Sequence, residues 1–199
     1  IDLDGFTVTR TEGTGIYLSG SFSTVMRCTV TFARDAGIQV MAGTGWTIGA
    51  NIAHDNLGHG IWVMGGGSGG TLQDNECFKN GDTAQVADGI RVDGSPSNVV
   101  TRNRVHENAG AGLRFQSAAN SCVSTLNRSW KNGEHGYDHD SATGTTHVCD
   151  VAFGNQADGF SVRGGSTGTR VYNSIAADNG LAASGFDISV DGPSTSGFG

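Results

Sequence analysis

The chain has 199 residues, which is long enough for one domain with a sizeable hydrophobic core. Its formal net charge of −7 argues against nucleic-acid binding, which needs a basic surface. No apolar run approaches the roughly 20 residues of a membrane span, so no membrane partner is expected. Glycine accounts for 33 residues and proline for only 2, a composition typical of many tight turns.

From its first strands onwards the chain repeats one short phrase: glycine, apolar, any residue, apolar. Successive phrases begin 22 to 29 residues apart. The alternation of apolar and polar residues predicts short strands with one buried and one outward side. In chain order, the eight phrases begin at Gly15, Gly37, Gly60, Gly89, Gly112, Gly136, Gly159 and Gly185.

Two columns of asparagine precede these glycines. Asparagines at the same corner of stacked coils can form a hydrogen-bonded amide ladder, so we assign both columns a structural role. The nearer column comprises Asn56, Asn80, Asn108, Asn132, Asn155 and Asn179, and the farther one Asn51, Asn75, Asn103 and Asn127, with Asp150 in the same slot.

A period of about 23 residues, with three short strands and three turns, suits one coil of a β-helix. We therefore predict an all-β fold: a right-handed parallel β-helix, a solenoid of about eight coils in which residues 1–199 form a single domain. Neither end has an obvious polar cap. We expect the chain either to belong to a longer helix or to pair end to end, for example as a homo-oligomer.

The four cysteines are Cys28, Cys77, Cys122 and Cys149, and none lies in a CxxC pair, so a zinc site is not expected. Only Cys122 and Cys149 fall in adjacent coils. Their offset along the strand separates them by roughly 13 Å, beyond the 7 Å or so that a disulfide allows. We predict four free thiols, most of them buried as small core residues.

The repeat resembles the right-handed β-helix superfamily of pectate lyases, polygalacturonases and mannuronan C5-epimerases over essentially the whole chain. The stretch His135-Gly136-Tyr137-Asp138-His139-Asp140 is similar to the Tyr-Gly-Phe-Asp-Pro-His motif of mannuronan epimerases and related alginate lyases. Asp138 matches in place, His135 replaces the tyrosine, the proline is absent, and the histidine comes one residue early. The resemblance implies an acidic polysaccharide as partner and an extracellular or periplasmic location.

A second stretch, Ala157-Asp158-Gly159-Phe160, is followed one coil later by Gly185-Phe186-Asp187. Both resemble motifs of calcium-dependent pectate lyases, although Ala183 and Ser184 stand where those enzymes have two aspartates. Carboxylate oxygens are the ligands that calcium prefers. The resemblance therefore implies a possible calcium cofactor, with ligands among Asp138, Asp140, Asp158 and Asp187.

We number each coil from its repeat glycine, taken as position 0. Positions +1 and +3 are predicted to point into the core, including Phe186 and Ile188 in the last coil, and positions +2 and +4 to face solvent on one sheet. The outward residues run from apolar and aromatic (Met41, Trp62, Met64) to mixed charge. We interpret this face as a saccharide groove with Trp62, Arg91, Asp93 and Gln116 binding substrate. The alternative is an exposed sheet whose charges pair across coils.

Tyr137 and His139 occupy positions +1 and +3, where the other coils have hydrophobic residues. Two explanations remain open. In the first, His139 is buried and satisfied by a partner such as Tyr137 or the backbone. In the second, a bulge shifts the register by one residue and turns both side chains into the groove.

Uronate lyases and epimerases remove the proton α to a carboxylate, which requires a cation or donors on that carboxylate, a base and a proton donor. In this hypothesis Arg114 or Arg163, or calcium, binds the carboxylate, His135 or His139 is the base, and Tyr137 is the acid. One alternative is a glycoside hydrolase that draws its acid and base from Asp138, Asp140 and Asp158. Another is a non-catalytic glycan-binding or structural solenoid.

Overall fold

The computed structural model describes residues 1–182 and 185–199, so Ala183 and Ser184 lie outside the described residues. Within those two ranges the chain forms 25 strands of three or four residues and no helix. It follows that no helix of the described part is long and apolar enough to cross a membrane. The predicted all-β fold is confirmed.

The strands form three parallel sheets, and every third strand along the chain joins the same sheet. Sheet A contains β1 Asp2–Asp4, β4 Thr24–Met26, β7 Thr47–Gly49, β10 Thr71–Gln73, β13 Val99–Thr101, β16 Val123–Thr125, β19 Thr146–Val148, β22 Thr169–Tyr172 and β25 Ser196–Phe198. Sheet B contains β2 Thr7–Thr9, β5 Thr29–Thr31, β8 Ile52–His54, β11 Glu76–Phe78, β14 Arg104–His106, β17 Arg128–Trp130, β20 Val151–Phe153 and β23 Ile175–Ala177. Sheet C contains β3 Ile16–Leu18, β6 Ile38–Val40, β9 Ile61–Val63, β12 Ile90–Asp93, β15 Leu113–Gln116, β18 Tyr137–Asp140, β21 Phe160–Arg163 and β24 Ile188–Val190.

This arrangement is a parallel β-helix of about eight coils, in which each coil contributes one strand to each sheet. Apolar residues at positions +1 and +3 of sheet C meet those of sheets A and B inside the solenoid. Ile38, Val40, Ile61 and Val63, for example, have no exposed surface. The coil is the repeating unit because one coil cannot bury its apolar side without neighbours.

Both asparagine ladders are present. Asn51 Nδ2 donates to Asn75 Oδ1 at 3.0 Å, and the same contact continues to Asn103 and Asn127 and then to Asp150. The second ladder runs from Asn56 to Asn179 with amide contacts of 2.8 to 3.0 Å. Each amide also binds backbone groups, which satisfies the polar atoms of the buried corners.

The predicted register of the last coil is wrong by two residues. Phe160 pairs with Ile188 and Val162 with Val190, so Ile188 and Val190 hold positions +1 and +3, and Phe186 is largely exposed. Asp187, not Gly185, stands at position 0, where its carbonyl accepts the N–H of Phe160 at 3.0 Å. Its carboxylate accepts hydrogen bonds from Asn179 at the end of the second ladder, which anchors this register.

The four cysteines are free, as predicted. Cys28, Cys77 and Cys122 are buried, and Cys149 is exposed. Cys149 has a φ of 57° at the corner after β19, where its side chain turns away from the core.

Candidate functional site

The candidate site lies on the outer face of sheet C, from β9 to β21. Strand pairing places equivalent positions of successive coils side by side, so that Arg91 lies beside Arg114 and Arg114 beside Asp138. Parallel pairing sets neighbouring coils about 4.8 Å apart, close enough for these long side chains to contact one another. Charges that are distant in sequence are thereby brought into one continuous network.

Asp138 is the centre of this network, and its side chain has no exposed surface. Arg163 donates to both carboxylate oxygens from Nε and Nη2 at 2.8 Å, and Arg114 Nε lies 3.1 Å away on the other side. Burial by itself would raise the pKa of Asp138, but the hydrogen bonds from Arg163 and the charge of Arg114 outweigh it and lower that pKa below its ordinary value. Asp138 is therefore a buried carboxylate anion held between two guanidinium groups.

The prediction that all +2 side chains face solvent is therefore wrong. Gln39, Asp138 and Ser161 are buried on this face. The cause for Asp138 is coverage by Arg114 and Arg163, whose longer side chains extend over it from the adjacent coils. Alternation alone sets which side of the sheet a residue faces, not whether its neighbours cover it.

Arg114 contacts three carboxylates. Besides Asp138, its Nη2 donates to Glu134 and lies 3.4 Å from Asp88 Oδ1. Glu134 and Asp88 were not among the predicted site residues. Glu134 lies two positions before the repeat glycine, at a corner that the strand pattern does not assign to the groove. The sequence feature that could have indicated Glu134 is its place directly before His135.

Arg163 and Asp140 form the more exposed part of the cluster. Their side chains are 34% and 35% exposed, and Arg163 Nη1 lies 3.5 Å from Asp140 Oδ2. The hydrogen bonds to Asp138 raise the pKa of Arg163, which is therefore permanently charged. A guanidinium anchored by one carboxylate, with one edge towards solvent, can receive a second carboxylate from a ligand.

His135 borders this cluster and is partly exposed. Its Nδ1 accepts the backbone N–H of Asp158 at 3.2 Å. The same Nδ1 lies 3.2 Å from Asp158 Oδ2, so Asp158 occupies this nitrogen of the ring. Only Nε2 of His135 remains for the role of base that the sequence suggested.

Tyr137 and His139 lie in the core and have no exposed surface. Strand β18 pairs with β15 in unbroken register, with Tyr137 beside Leu113 and His139 beside Phe115, so the bulge explanation is excluded. Tyr137 Oη donates to the carbonyl of Val151 at 3.3 Å. The catalytic roles suggested for these two residues do not fit this placement, because neither side chain reaches the groove.

The partners of His139 are a backbone carbonyl and a second buried histidine. Its Nδ1 lies 3.0 Å from the oxygen of Ser161, and its Nε2 lies 2.8 Å from His147 Nε2. His147 Nδ1 in turn lies 2.8 Å from Asp150 Oδ2. His147 was not predicted as a functional residue. It is nevertheless a polar residue at a core-facing position of sheet A, where other coils have Val25, Ile48 and Leu72.

The four aspartates proposed for calcium do not share one site. Asp138 is bound by two arginines, Asp158 accepts from Phe186 N–H and Ser189 Oγ at 2.7 Å each, and Asp187 binds Asn179. Across residues 1–182 and 185–199, no group of three or more His, Cys, Asp or Glu side chains is arranged to hold a metal ion. Because the carboxylates of Asp138, Asp158 and Asp187 already bind different protein groups, they do not fit a common calcium ion.

The predicted substrate-binding residues are in mutual contact. Arg91 Nη2 donates to Asp93 Oδ2 at 3.3 Å, and Gln116 Nε2 donates to the same oxygen at 3.0 Å. The Arg91 guanidinium also lies over the Trp62 ring, 5.9 Å from its centroid. The structure thus brings Trp62, Arg91, Asp93 and Gln116 together beside the Asp138 cluster.

Comparison with known proteins identifies the fold. The family described as "Right handed beta helix region" matches residues 1–174. No curated protein sequence matches the chain.

Among solved structures, a double mutant of the periplasmic alginate epimerase AlgG superposes with a TM-score of 0.86 at 17% identity, over 100% of this chain and 49% of that one. The A-module of Azotobacter vinelandii mannuronan C-5 epimerase AlgE4 gives 0.72 at 20% identity, over 81% and 43%. Pectate lyase Pel9A gives 0.69 at 20% identity, over 92% and 54%. The chain thus spans about half the length of these proteins, and on the strength of the family match it belongs to the right-handed β-helix family.

Proposed function

We propose that the protein acts on a uronate-containing polysaccharide, as a lyase or C5-epimerase, along the outer face of sheet C. Proteins of the same fold with this kind of activity include an alginate epimerase, a mannuronan epimerase and a pectate lyase. The partner in this proposal is an acidic glycan, and the location is extracellular or periplasmic, since AlgG is a periplasmic protein.

The observation that carries the proposal is the pairing of Arg163 with Asp140. A uronate carboxylate bound to Nη1 of Arg163 would bring its α-carbon close to Asp140, because Nη1 and Asp140 Oδ2 are 3.5 Å apart. A cation on the carboxylate and a carboxylate base are two of the groups that α-proton removal requires.

In this mechanism Arg163 stabilises the negative charge that develops on the carboxylate. Asp140 takes the α-proton. In a lyase, the protonated Asp140 returns this proton to the glycosidic oxygen as the bond to it breaks and a C4–C5 double bond forms. In an epimerase, the carbanion instead receives a proton from a water molecule on its opposite face, and Asp140 gives its proton back to solvent to balance the hydroxide left behind.

The test uses polymannuronate, polyguluronate and polygalacturonate, each with calcium and with chelator. Absorbance near about 235 nm reports a new double bond, and proton NMR reports inversion at C5. We expect Asp140→Asn to lower the rate by about 100-fold or more, the usual contribution of a general base. His106→Ala, on the outer face of sheet B, is the matched control and should keep the wild-type rate. Absence of both signals on every polymer would contradict the proposal.

A second candidate, a non-catalytic glycan-binding solenoid, is favoured by the buried state of Asp138. Asp138 is paired with Arg114 and Arg163, and Arg114 is paired with Glu134 and Asp88 as well, as in a structural ion-pair network. Uronate binding without turnover would support this candidate. The hydrolase alternative has less support, because Asp138 is fully buried and Asp158 is only 10% exposed.

A further inference from the structure

The arrangement around His135 occurs a second time on the same face, three coils earlier. His59 Nδ1 accepts the backbone N–H of Asp88 at 2.8 Å, just as His135 Nδ1 accepts that of Asp158. Asp88 Oδ1 accepts the N–H of Ala111 at 2.9 Å, in the same way that Asp158 accepts from the coil after it. Both histidines occupy the position before the repeat glycine. The two units therefore lie roughly 14 Å apart along the solenoid axis, at about 4.8 Å per coil.

The two units differ at the second oxygen of the aspartate. Asp158 Oδ2 accepts from Ser189 Oγ at 2.7 Å, whereas Asp88 Oδ2 has no hydrogen-bond partner among the described residues. The Asp88 side chain is only 3% exposed. Arg114 occupies the position in this unit that Ser189 occupies in the other, but its Nη2 donates to Glu134 and not to Asp88 Oδ2. A buried carboxylate oxygen without a partner is costly unless something else binds it.

Two donors of this unit face each other, and the carboxylate oxygen beside them, Asp88 Oδ2, lies 3.7 Å from Arg91 Nη1, beyond hydrogen-bond distance. His59 accepts at Nδ1, so its proton lies on Nε2, and this nitrogen is 3.4 Å from Arg91 Nη1. Burial, followed by the charges of Arg91 and Arg114, lowers the pKa of His59 to about 3 and keeps the ring neutral. Both facing groups are therefore donors and cannot bond to each other. An anionic oxygen between them would satisfy both.

Trp62 holds the two donors in position. Its ring makes an edge contact with His59, with centroids 5.2 Å apart, and the Arg91 guanidinium lies over it. Cation–π contacts of this kind orient an arginine without using its hydrogen bonds. Asp93 binds the other end of the guanidinium through Nη2 at 3.3 Å. Nη1 is thus left 3.4 Å from His59 Nε2 and 3.7 Å from Asp88 Oδ2.

We infer that His59 and Arg91 form a second carboxylate-binding site, which takes an oxygen of a uronate carboxylate between His59 Nε2 and Arg91 Nη1. The inference rests on the proposed function for its ligand class: one acidic polymer lying along the axis would contact this site and the His135 site together. It assigns His59 and Arg91 to binding, and Trp62 to positioning.

The test is calorimetric titration of the protein with saturated trigalacturonate and trimannuronate, with neutral hexose trisaccharides as the comparison ligands. We expect Arg91→Gln and His59→Ala each to weaken uronate binding by about tenfold or more, as charge-assisted hydrogen bonds do. Trp62→Phe should give an intermediate loss. Arg102→Gln, at an exposed ion pair with Asp74, is the matched control and should bind as the wild type does. Nitrogen-15 NMR should show His59 as the Nε2–H tautomer before ligand is added.

The outcomes separate this inference from the proposed function. If the polymers are turned over but Arg91→Gln and His59→Ala bind uronates as the wild type does, the second site is overturned and the activity stands. If no polymer is turned over but uronate binding depends on Arg91 and His59, the activity fails and the second site stands. Failure of the wild type to bind either trisaccharide overturns the second site. Thermal unfolding of each variant checks that lost binding is not lost folding.

Discussion

His147 and Asp150 form an ion pair inside the solenoid, with Nδ1 and Oδ2 2.8 Å apart and no exposed surface on either side chain. Asp150 also accepts from Ser124 Oγ and from Asn127 N and Nδ2, so both of its oxygens take part in hydrogen bonds. His139 donates from Nδ1 to Ser161, which leaves its Nε2 to accept from His147 Nε2. His147 Nδ1 and Asp150 Oδ2, 2.8 Å apart, then share one proton at the end of this chain of hydrogen bonds. Burial, followed by the neighbouring His147, lowers the pKa of His139 to about 3, in keeping with a neutral ring.

Asp150→Asn tests this ion pair. Asparagine is the residue of this slot in four other coils, so the ladder contact is retained while the negative charge is removed. We expect a loss of about 3–5 kcal/mol in the free energy of unfolding at pH 7, because a buried charge is left unpaired. Urea unfolding followed by circular dichroism measures it. The double variant Asp150→Asn with His147→Leu should regain much of the loss, and a single variant as stable as the wild type would contradict the assignment.

Asp88→Asn should change how stability depends on pH. Burial is the main cause that raises the pKa of Asp88 from its ordinary 3.8 to about 6, only partly opposed by Arg114. Between pH 3.8 and pH 6 the folded state binds more protons than the unfolded state. The ionised carboxylate therefore lowers the free energy of unfolding as pH rises through this range, and has no such effect at a pH below both pKa values. The free energy of unfolding of the variant, relative to that of the wild type, should therefore rise by about 3 kcal/mol from pH 4 to pH 7. A difference that is constant over this range in urea titrations would argue against the raised pKa.

Asp138→Asn should show the opposite pH dependence. The pKa of Asp138 is lower in the folded state than in the unfolded state. Its carboxylate therefore stabilises the fold at any pH above the unfolded-state pKa, and this stabilisation is lost as pH falls through the folded-state pKa. We expect the variant to lose about 3–5 kcal/mol at pH 7, because Arg114 and Arg163 lose their shared anion, and to approach the wild type in acid. Asp74→Asn, which breaks the exposed pair with Arg102, should have a much smaller effect. Equal losses in the two variants would show that the burial of Asp138 does not matter.

Cys149 should be the one thiol that reacts in the folded protein. It is exposed, whereas burial raises the pKa of Cys122 to about 11 and raises that of Cys77 further. Titration with a thiol reagent should give one rapid equivalent under native conditions and four after unfolding. Cys149→Ser should abolish the rapid equivalent. Two or more rapid equivalents in the wild type would contradict the described burial.

Most of the fold could be predicted from the repeat. Because stacked coils demand the same residue type at the same corner, the columns of glycine and asparagine could be read along the chain, and with them the strands and seven of the eight registers of sheet C. The predicted register of the last coil was wrong because Gly185-Phe186-Asp187, which matches the repeat pattern, begins two residues before the position that strand pairing assigns. The pairing of Phe160 with Ile188 and the hydrogen bond from Asn179 to Asp187 show where the coil closes.

The sequence by itself determined the β-helix, the ladders, the free thiols and the face that gathers the charges, because all of these follow from a local pattern repeated with one period. The tertiary structure decided which of those charges remain available. Asp138 is covered by arginines 24 and 25 residues away, and the Nδ1 of His135 is committed to the next coil. Protonation and access depend on neighbours brought together from different coils, and no single stretch of sequence contains them.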